Sequence, residues 1–226
     1  MDASPPRPRV LLFDVNETLL DVGPLKQQVA DLLLERTAGT LWFTTMLQYS
    51  LAMTVSGQYA ALGDIGAATL QMLARNSDIA LSTEDAMSVM AGMRTLDAHP
   101  DVVPALQRLR DAGFRMATLT NSPAAGVQAQ TRHAGLDTFF EKQLTVESVG
   151  RFKPDGSVYA WAAREMGAAP AECMLVAAHG WDVAGAQWAG LRSAFIAREG
   201  QQKFPLAEPP EIDVSDLAML ADRLGA

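Results

Sequence analysis

A change of pattern at His99 is the feature that most constrains the fold. Beyond it, short apolar runs near residues 114–120, 173–178 and 192–197 alternate with segments of helical spacing. An earlier run, Val10 to Phe13, is equally short and apolar and ends at Asp14. Strands that alternate with helices predict a mostly parallel sheet with helices on both faces, which is an α/β fold.

The stretch between the first run and His99 is helical in character throughout. Apolar residues recur there at three- and four-residue spacing in four segments, near residues 24–36, 41–56, 64–75 and 83–94. We therefore expect an α/β catalytic core of residues 8–22 and 99–226, with a helical-bundle cap at 23–98. Sites in such sheets form at the carboxyl ends of the strands, so a cap that leaves the end of the first strand would cover the site.

Composition narrows the class of protein. The chain has 226 residues, 49% of them hydrophobic, and a net charge of −8. That charge argues against nucleic-acid binding, which uses a basic surface. The polar, Pro-rich N-terminus does not resemble a signal peptide, and no segment has the roughly 20 apolar residues of a membrane span. With Cys173 as the only cysteine, we expect a cytoplasmic protein with no membrane partner.

Polar side chains follow several of the predicted strands. Asp14 follows the run at 10–13, Thr120 ends the run at 114–120, and Asn121 comes directly after it. His179 and Asp182 follow the run at 173–178. Each alone is commonly a turn or cap residue, and a lone lysine such as Lys153 is usually solvated. A carboxylate nucleophile, however, needs a cation and hydrogen-bond donors around it, and this set could supply both.

Four motifs occur in an order that resembles the haloacid dehalogenase superfamily. They are FDVNETLLD at 13–21, TLTNS at 118–122, RFKPD at 151–155 and VAAHGWD at 176–182. The resemblance covers almost the whole chain. It implies a Rossmann-like core with a cap, Asp14 as a covalent nucleophile, and supporting roles for Thr18, Lys153 and Asp182.

Asn16 separates two branches of that superfamily. Magnesium-dependent phosphatases carry a second aspartate two residues after the nucleophile, where it protonates the leaving alkoxide. Asn16 cannot act as such an acid, whereas a halide leaves without a proton. The sequence therefore favours a dehalogenase, with a phosphatase as the alternative. A catalytically silent binding protein on the same fold is a third possibility.

The chain resembles the type II (S)-2-haloacid dehalogenases more specifically, through RFKPDGSVYAWAAREMG and the Trp181-Asp182 pair. The resemblance implies hydrolysis of a short 2-haloacid, a class that includes haloacetates such as fluoroacetate, through an ester on Asp14. Asp182 or His179 would orient the water. It implies no metal and no cofactor, and a homodimer. The residues expected to bind substrate are Val15, Asn16, Phe43, Thr120, Asn121, Tyr159 and Trp181.

Three positions depart from that pattern. Phe43 stands where those enzymes carry an arginine after the cap tryptophan, and Ala177 and His179 replace a serine and an asparagine. We expect Arg36, Arg75 or Arg94 to supply the missing cation, although spacing does not choose among them. The apolar residues of the second helix are expected to form bundle core, a subunit interface or a pocket lining: Trp42, Phe43, Met46, Tyr49 and Met53.

Overall fold

A computed structural model describes residues 7–226; the first six residues of the polar N-terminal arm lie outside the described part. Its strands are β1 (Val10–Phe13), β2 (Arg115–Thr120), β3 (Lys142–Thr145), β4 (Cys173–Ala177), β5 (Arg192–Ile196) and β6 (Ile212–Val214). Its α-helices are α1 (Gly23–Leu32), α2 (Ala38–Val55), α3 (Leu62–Asn76), α4 (Thr83–Ala91), α5 (Val102–Asp111), α6 (Ala124–His133), α7 (Gly156–Glu165), α8 (Gly180–Trp188) and α9 (Leu217–Arg223).

The six strands form one parallel sheet in the order β3-β2-β1-β4-β5-β6. This is the doubly wound order, in which the direction of winding reverses between β1 and β4. All four residues of β1 are fully buried, as expected of a central parallel strand. The α/β class predicted from the sequence is confirmed. The carboxyl ends of β1 and β4 meet at the reversal, where such sheets bind ligands.

The sequence reading missed β6 and α9. Strand β6 has only three residues, and Asp213 at its centre is exposed. A strand this short on the edge of the sheet has too few apolar residues to show a period. Helix α9 is also short, and its start is marked only by Asp216, whose carboxylate accepts a hydrogen bond from the Met219 amide at 2.8 Å.

Helices α1–α4 and the 3-10 turn Gly92–Thr95 form one segment between β1 and α5, which we call the helical insert. Its two connections to the sheet run side by side. Leu20 bridges Ala98 in antiparallel fashion, and the Asp21 and His99 amides donate to Asp97 and Leu19 carbonyls, both at 2.9 Å. The four predicted helices are present with shifted ends. The division into a core and a separate cap domain remains a prediction.

The helical insert has its own apolar interior. Trp42 and Met46 of α2 are fully buried, and the Trp42 indole N–H donates to the Gly66 carbonyl of α3 at 2.9 Å. Full burial of side chains of this size contributes about 2 kcal/mol or more each to stability. No helix within residues 7–226 has the length and apolar character needed to cross a membrane.

Candidate active site

Asp14 lies directly after β1, and both of its carboxylate oxygens are engaged. The Lys153 ammonium donates to Oδ1 at 2.9 Å, the Thr18 hydroxyl donates to Oδ2 at 2.7 Å, and Nδ1 of His179 lies 3.2 Å from Oδ2. Burial alone would raise the pKa of the Asp14 carboxyl, but Lys153 and His179 outweigh it and hold that pKa well below its usual range. Asp14 is therefore ionised at neutral pH.

Lys153 is buried between two carboxylates. Its ammonium donates to Asp14, to the Leu119 carbonyl at 2.8 Å and to Asp182 at 2.5 Å, so all three of its N–H groups are used. The Asn121 side-chain carbonyl accepts from the Lys153 backbone amide at 3.1 Å and fixes the chain there. Burial opposes the charge of Lys153, yet the two carboxylates raise its pKa. Lys153 is thus a fixed cation.

Asp182, in the first turn of α8, has both oxygens occupied as well. Lys153 donates to Oδ2, and the Tyr159 hydroxyl donates to Oδ1 at 2.5 Å. Tyr159 reaches it because Gly185 has no side chain; a Cβ at Gly185 would lie 2.8 Å from the phenol oxygen. Burial and the negative charge of Asp14 raise the pKa of the Asp182 carboxyl despite Lys153. Asp182 therefore holds a proton more readily than an ordinary aspartate.

Tyr159 is joined to Asp182 by a hydrogen bond. Its side chain is fully buried in α7, and its hydroxyl is directed at Asp182. Burial and that carboxylate raise the pKa of Tyr159 well above its ordinary value, so it remains a hydrogen-bond donor. Tyr159 therefore helps to fix the Asp182 carboxylate, and its expected contact with substrate remains a prediction.

His179 bridges two carboxylates, one at each ring nitrogen. Nδ1 faces Asp14, and Nε2 lies 2.7 Å from a carboxylate oxygen of Glu17. A neutral imidazole has one N–H, so donation to both acceptors requires the protonated ring. Burial lowers the pKa of His179, but the two carboxylates outweigh it and raise the pKa to about 9. Both ring nitrogens of His179 are thus engaged by carboxylates, and its expected role in orienting water remains a prediction.

Glu17 is the residue that the sequence reading missed. It lies in the loop after β1 with a positive φ of 63°, and its carboxylate contacts His179, Lys26 and Gln201. Burial would raise the pKa of Glu17, but His179 and Lys26 lower it. The sequence signal that could have identified Glu17 is its position, three residues after Asp14 and inside the first motif.

A cavity of about 460 Å³ opens beside these groups, between the helical insert and the sheet. Lys153, His179 and Trp181 line it from the sheet side, and Phe43 lines it from α2. The His179 ring stacks between Trp181 and Phe43, with ring centroids 5.2 Å and 6.4 Å away. Asp14 contacts two of the lining side chains, Lys153 and His179. Small ligands therefore have room next to an ionised carboxylate.

The other predicted substrate contacts lie at the edge of this cluster. The Asn16 amide donates to Ser122 at 3.2 Å and accepts from Gln130 at 2.8 Å, while the Thr120 hydroxyl accepts from the Ser122 amide at 3.1 Å. Val15 is fully buried. The Thr18 hydroxyl accepts from the Ala178 amide at 2.9 Å, which aims its proton at Asp14. Contact of Val15, Asn16 and Thr120 with substrate remains a prediction.

The three arginines expected to supply the missing cation do not line this cavity, and the role expected of them remains a prediction. Arg75 and Arg94 line two other cavities, and Arg36 is exposed. Lys26 of α1 is the residue found against Phe43, with its ammonium 4.7 Å from the ring centroid. It lies on a neighbouring helix, so spacing from Trp42 could not find it.

The chain is similar to a known protein family, to characterised sequences and to solved structures. The family model of haloacid dehalogenase-like hydrolases matches residues 8–190. (S)-2-haloacid dehalogenase 4A of Burkholderia cepacia is 28% identical over 211 residues, covering 92% of this chain and 88% of the relative. The crystal structure of an L-2-haloacid dehalogenase is 31% identical, with a TM-score of 0.81 and coverage of 96% and 99%.

A further solved structure is similar in fold. It is the L-2-haloacid dehalogenase of Xanthobacter autotrophicus with chloropropionic acid covalently bound, at 23% identity and a TM-score of 0.89, covering 96% of this chain and 98% of that one. At this identity the likeness supports the arrangement of helices and strands alone.

Proposed function

Because this chain belongs to the haloacid dehalogenase-like hydrolase family, we propose that it hydrolyses a short 2-haloalkanoic acid to the 2-hydroxy acid and halide. Haloacetates, including fluoroacetate, fall within this class. The observation that carries the proposal is Asp14, a carboxylate kept ionised by Lys153 and His179, with an amide rather than an acid two residues along. The relatives named as 2-haloacid dehalogenases support it.

In the first step, Asp14 attacks the carbon that bears the halogen. Oδ1 accepts one hydrogen bond, from Lys153, whereas Oδ2 accepts from Thr18 and lies beside His179, so Oδ1 has the freer lone pairs. A C–O bond forms as the C–halogen bond breaks, and the halide leaves with the electron pair. Attack from the side opposite the halogen inverts that carbon.

In the second step, water attacks the carbonyl carbon of the Asp14 ester. Oδ2 then becomes the carbonyl oxygen, and the Thr18 hydroxyl and His179 N–H stabilise the negative charge that develops on it. Collapse of the tetrahedral intermediate expels the 2-hydroxy acid and leaves Asp14 with one oxygen from water. Because both ring nitrogens of His179 face carboxylates, we assign Asp182 as the group that takes one water proton and passes it to the leaving alkoxide. The second water proton leaves Asp14 for solvent when its carboxylate is restored.

Asn16 is the feature that sets this proposal against a phosphatase. Its amide is hydrogen-bonded through both ends, to Ser122 and Gln130, and it has no acidic proton for a leaving alkoxide. The silent-protein alternative leaves unexplained why Lys153 is buried between two carboxylates, those of Asp14 and Asp182.

Halide release tests the proposal directly. Fluoro-, chloro- and bromoacetate and both 2-chloropropionate enantiomers are assayed with and without EDTA, beside a phosphate-ester panel with magnesium. Halide release that EDTA does not affect supports the dehalogenase. Phosphate release without halide release would establish the phosphatase instead, and silence on both panels would favour the binding protein.

The covalent step has its own test. A single turnover in ¹⁸O-labelled water, with enzyme in excess, should place the label in the peptide that contains Asp14 and leave the product hydroxyl unlabelled. Label in the product after one turnover would mean that water attacks the substrate directly, and the ester mechanism would fall.

We also propose that the helical insert acts as a cap and that the protein is a cytoplasmic homodimer. Helix α2 supports the dimer, because several of its apolar side chains are exposed: Leu41, Tyr49, Leu51 and Val55. Covering such a patch stabilises association. Light scattering on the purified protein measures the mass in solution; a monomer at micromolar concentration would contradict the dimer.

A further inference from the structure

The cations that line the cavity differ in how many donors they have left. Among the described lining residues these are Lys153, His179 and Lys26. Lys153 spends all three N–H groups within the protein, and His179 spends both of its own. The Lys26 ammonium makes one hydrogen bond, to Glu17, and has no other hydrogen-bond partner within residues 7–226. An ammonium has three donors, so two remain.

The position of Lys26 is built by a glycine. A Cβ at Gly39 would lie 2.0 Å from the Lys26 carbonyl oxygen, so only glycine lets the α1 backbone pack this closely on α2. Phe43 follows Gly39 by four residues, one helical turn along the same face. The same face of α2 therefore holds the backbone of Lys26 and carries its ammonium on the Phe43 ring.

Glu17 holds the other side of the Lys26 ammonium. It belongs to the loop that follows β1, so Lys26 is joined through Glu17 and His179 to Asp14. The Lys26 side chain is 21% exposed, and that of its partner Glu17 is 12% exposed. The ammonium is thus held on two sides, and Lys26 lines this cavity and a second one beside it.

We propose that Lys26 binds the carboxylate of the substrate acid, an inference that rests on the proposed function. A carboxylate entering a largely apolar cavity needs a cation and hydrogen-bond donors, and Lys26 has both to spare. The carboxylate is the only full charge on a haloacid before the carbon–halogen bond breaks, so it is the group that pairs with a resting cation. Phe43 is itself uncharged; its ring packs against the ammonium of Lys26, which belongs to α1.

This assignment makes Lys26 a specificity residue. An acid and its amide have nearly the same shape, but only the acid pairs with an ammonium. Removing the charge of Lys26 should therefore weaken the binding of acids and leave neutral isosteres alone. If Lys26 only held Glu17 and His179 in place, its substitution would weaken the binding of the acid and of the amide equally.

The experiment measures Kd for propionate and propionamide by ligand-observed NMR, so that no turnover is required. The proteins are wild type, Lys26→Met, Lys26→Arg, and Lys142→Met as the matched control. Lys142 starts β3, at the amino edge of the sheet, and is paired with Glu165 on the surface. We expect Lys26→Met to raise the Kd for propionate about 10- to 100-fold, as for a hydrogen bond to a charged group.

The other ligand and the other variants show which results would contradict the proposal. Propionamide binding should stay within about threefold in Lys26→Met, Lys26→Arg should recover most of the propionate affinity, and Lys142→Met should match wild type. Unchanged propionate binding in Lys26→Met, or an equal loss for propionamide, would overturn the proposal. If Lys26-dependent propionate binding is found without halide release from any haloacid, the proposed reaction fails and the acid-binding role stands.

Discussion

The two walls of the cavity use charge in opposite ways. On the sheet side, Asp14, Lys153 and Asp182 are buried and engage one another by hydrogen bonds of 2.5–2.9 Å. On the side of the helical insert, most lining residues are apolar or uncharged, and the one charged side chain, Lys26, keeps donors free. We call these two sides the sheet wall and the insert wall. The charged groups of the sheet wall already have partners within the protein, whereas Lys26 on the insert wall has donors that a ligand would use.

This difference separates the reaction from the choice of substrate. Preorganised charges next to a nucleophile stabilise charge as it develops and cost no rearrangement during the reaction. A cation with unused donors, by contrast, distinguishes among ligands. Variants on the sheet wall should therefore lose rate or stability, and variants on the insert wall should change which ligand binds.

Asp14→Asn tests the sheet wall most severely. The amide keeps the shape of the carboxylate but is a poor nucleophile, so the halide-release rate should fall by about 10⁴-fold or more, as when other covalent nucleophiles are removed. Ion chromatography of released halide gives the rate, with Lys142→Met as the control. Activity in purified Asp14→Asn within tenfold of wild type would remove Asp14 from the mechanism.

Lys153→Met compared with Lys26→Met sharpens the contrast between the walls in stability. Loss of Lys153 leaves two carboxylates buried without their cation, and we expect the free energy of unfolding to fall by about 3–5 kcal/mol. Lys26→Met breaks a partly exposed pair and should cost about 1 kcal/mol or less. Urea denaturation measures both; equal losses would mean that the insert wall is as tightly organised as the sheet wall.

Stability should also depend on pH through His179. Its pKa is raised from 6.5 to about 9 in the folded state, so its contribution is complete below pH 6.5 and is lost as pH rises through 9. A shift of this size corresponds to about 3 kcal/mol. Urea denaturation from pH 6 to pH 9.5 measures the decline.

His179→Gln is the control for that pH dependence. It has no imidazolium to deprotonate, so its free energy of unfolding should change much less over the same range. A parallel decline in His179→Gln would assign the pH dependence to other groups and would leave His179 neutral in the folded protein.

Tyr159→Phe should have a smaller effect on stability than Lys153→Met. It removes the hydroxyl that donates to Asp182, and the loss of one buried hydrogen bond to a carboxyl group costs about 1–3 kcal/mol. Tyr49→Phe is the matched control on the helical insert, where the side chain is 41% exposed and the change should stay within about 0.5 kcal/mol. Similar melting temperatures for the two variants would contradict the positioning role of Tyr159.

Sequence reasoning reached the fold and much of the sheet wall for a physical reason. Buried parallel strands are continuous apolar runs, and the residues that follow them at the carboxyl edge converge without further information. Asp14, Asp182 and Asn121 follow such runs, so their neighbourhood was predictable. The membership of the haloacid dehalogenase-like hydrolases, predicted from the four motifs, is confirmed.

The insert wall was not predictable in the same way. Lys26 reaches the cavity because Gly39 allows two helices to pack closely, and helix packing leaves no fixed spacing in the sequence. The role of an arginine as the missing cation stays a prediction, whereas the cation found against Phe43 is Lys26, on another helix. The surroundings of His179 were not predictable for a related reason: its partner Glu17 is close in space and distant in sequence.

The paired connections at the base of the helical insert have a consequence for how this architecture can diversify. Because Leu20 and Ala98 are bridged neighbours, the sheet meets the insert at two adjacent points, much as it would meet a short hairpin. A segment whose ends are so close can be lengthened, shortened or exchanged at little cost in chain entropy, while the strands beneath keep their order. Evolution could thus exchange the helical insert, and with it the proposed substrate-binding lysine, while the charged residues at the end of the sheet stay in place.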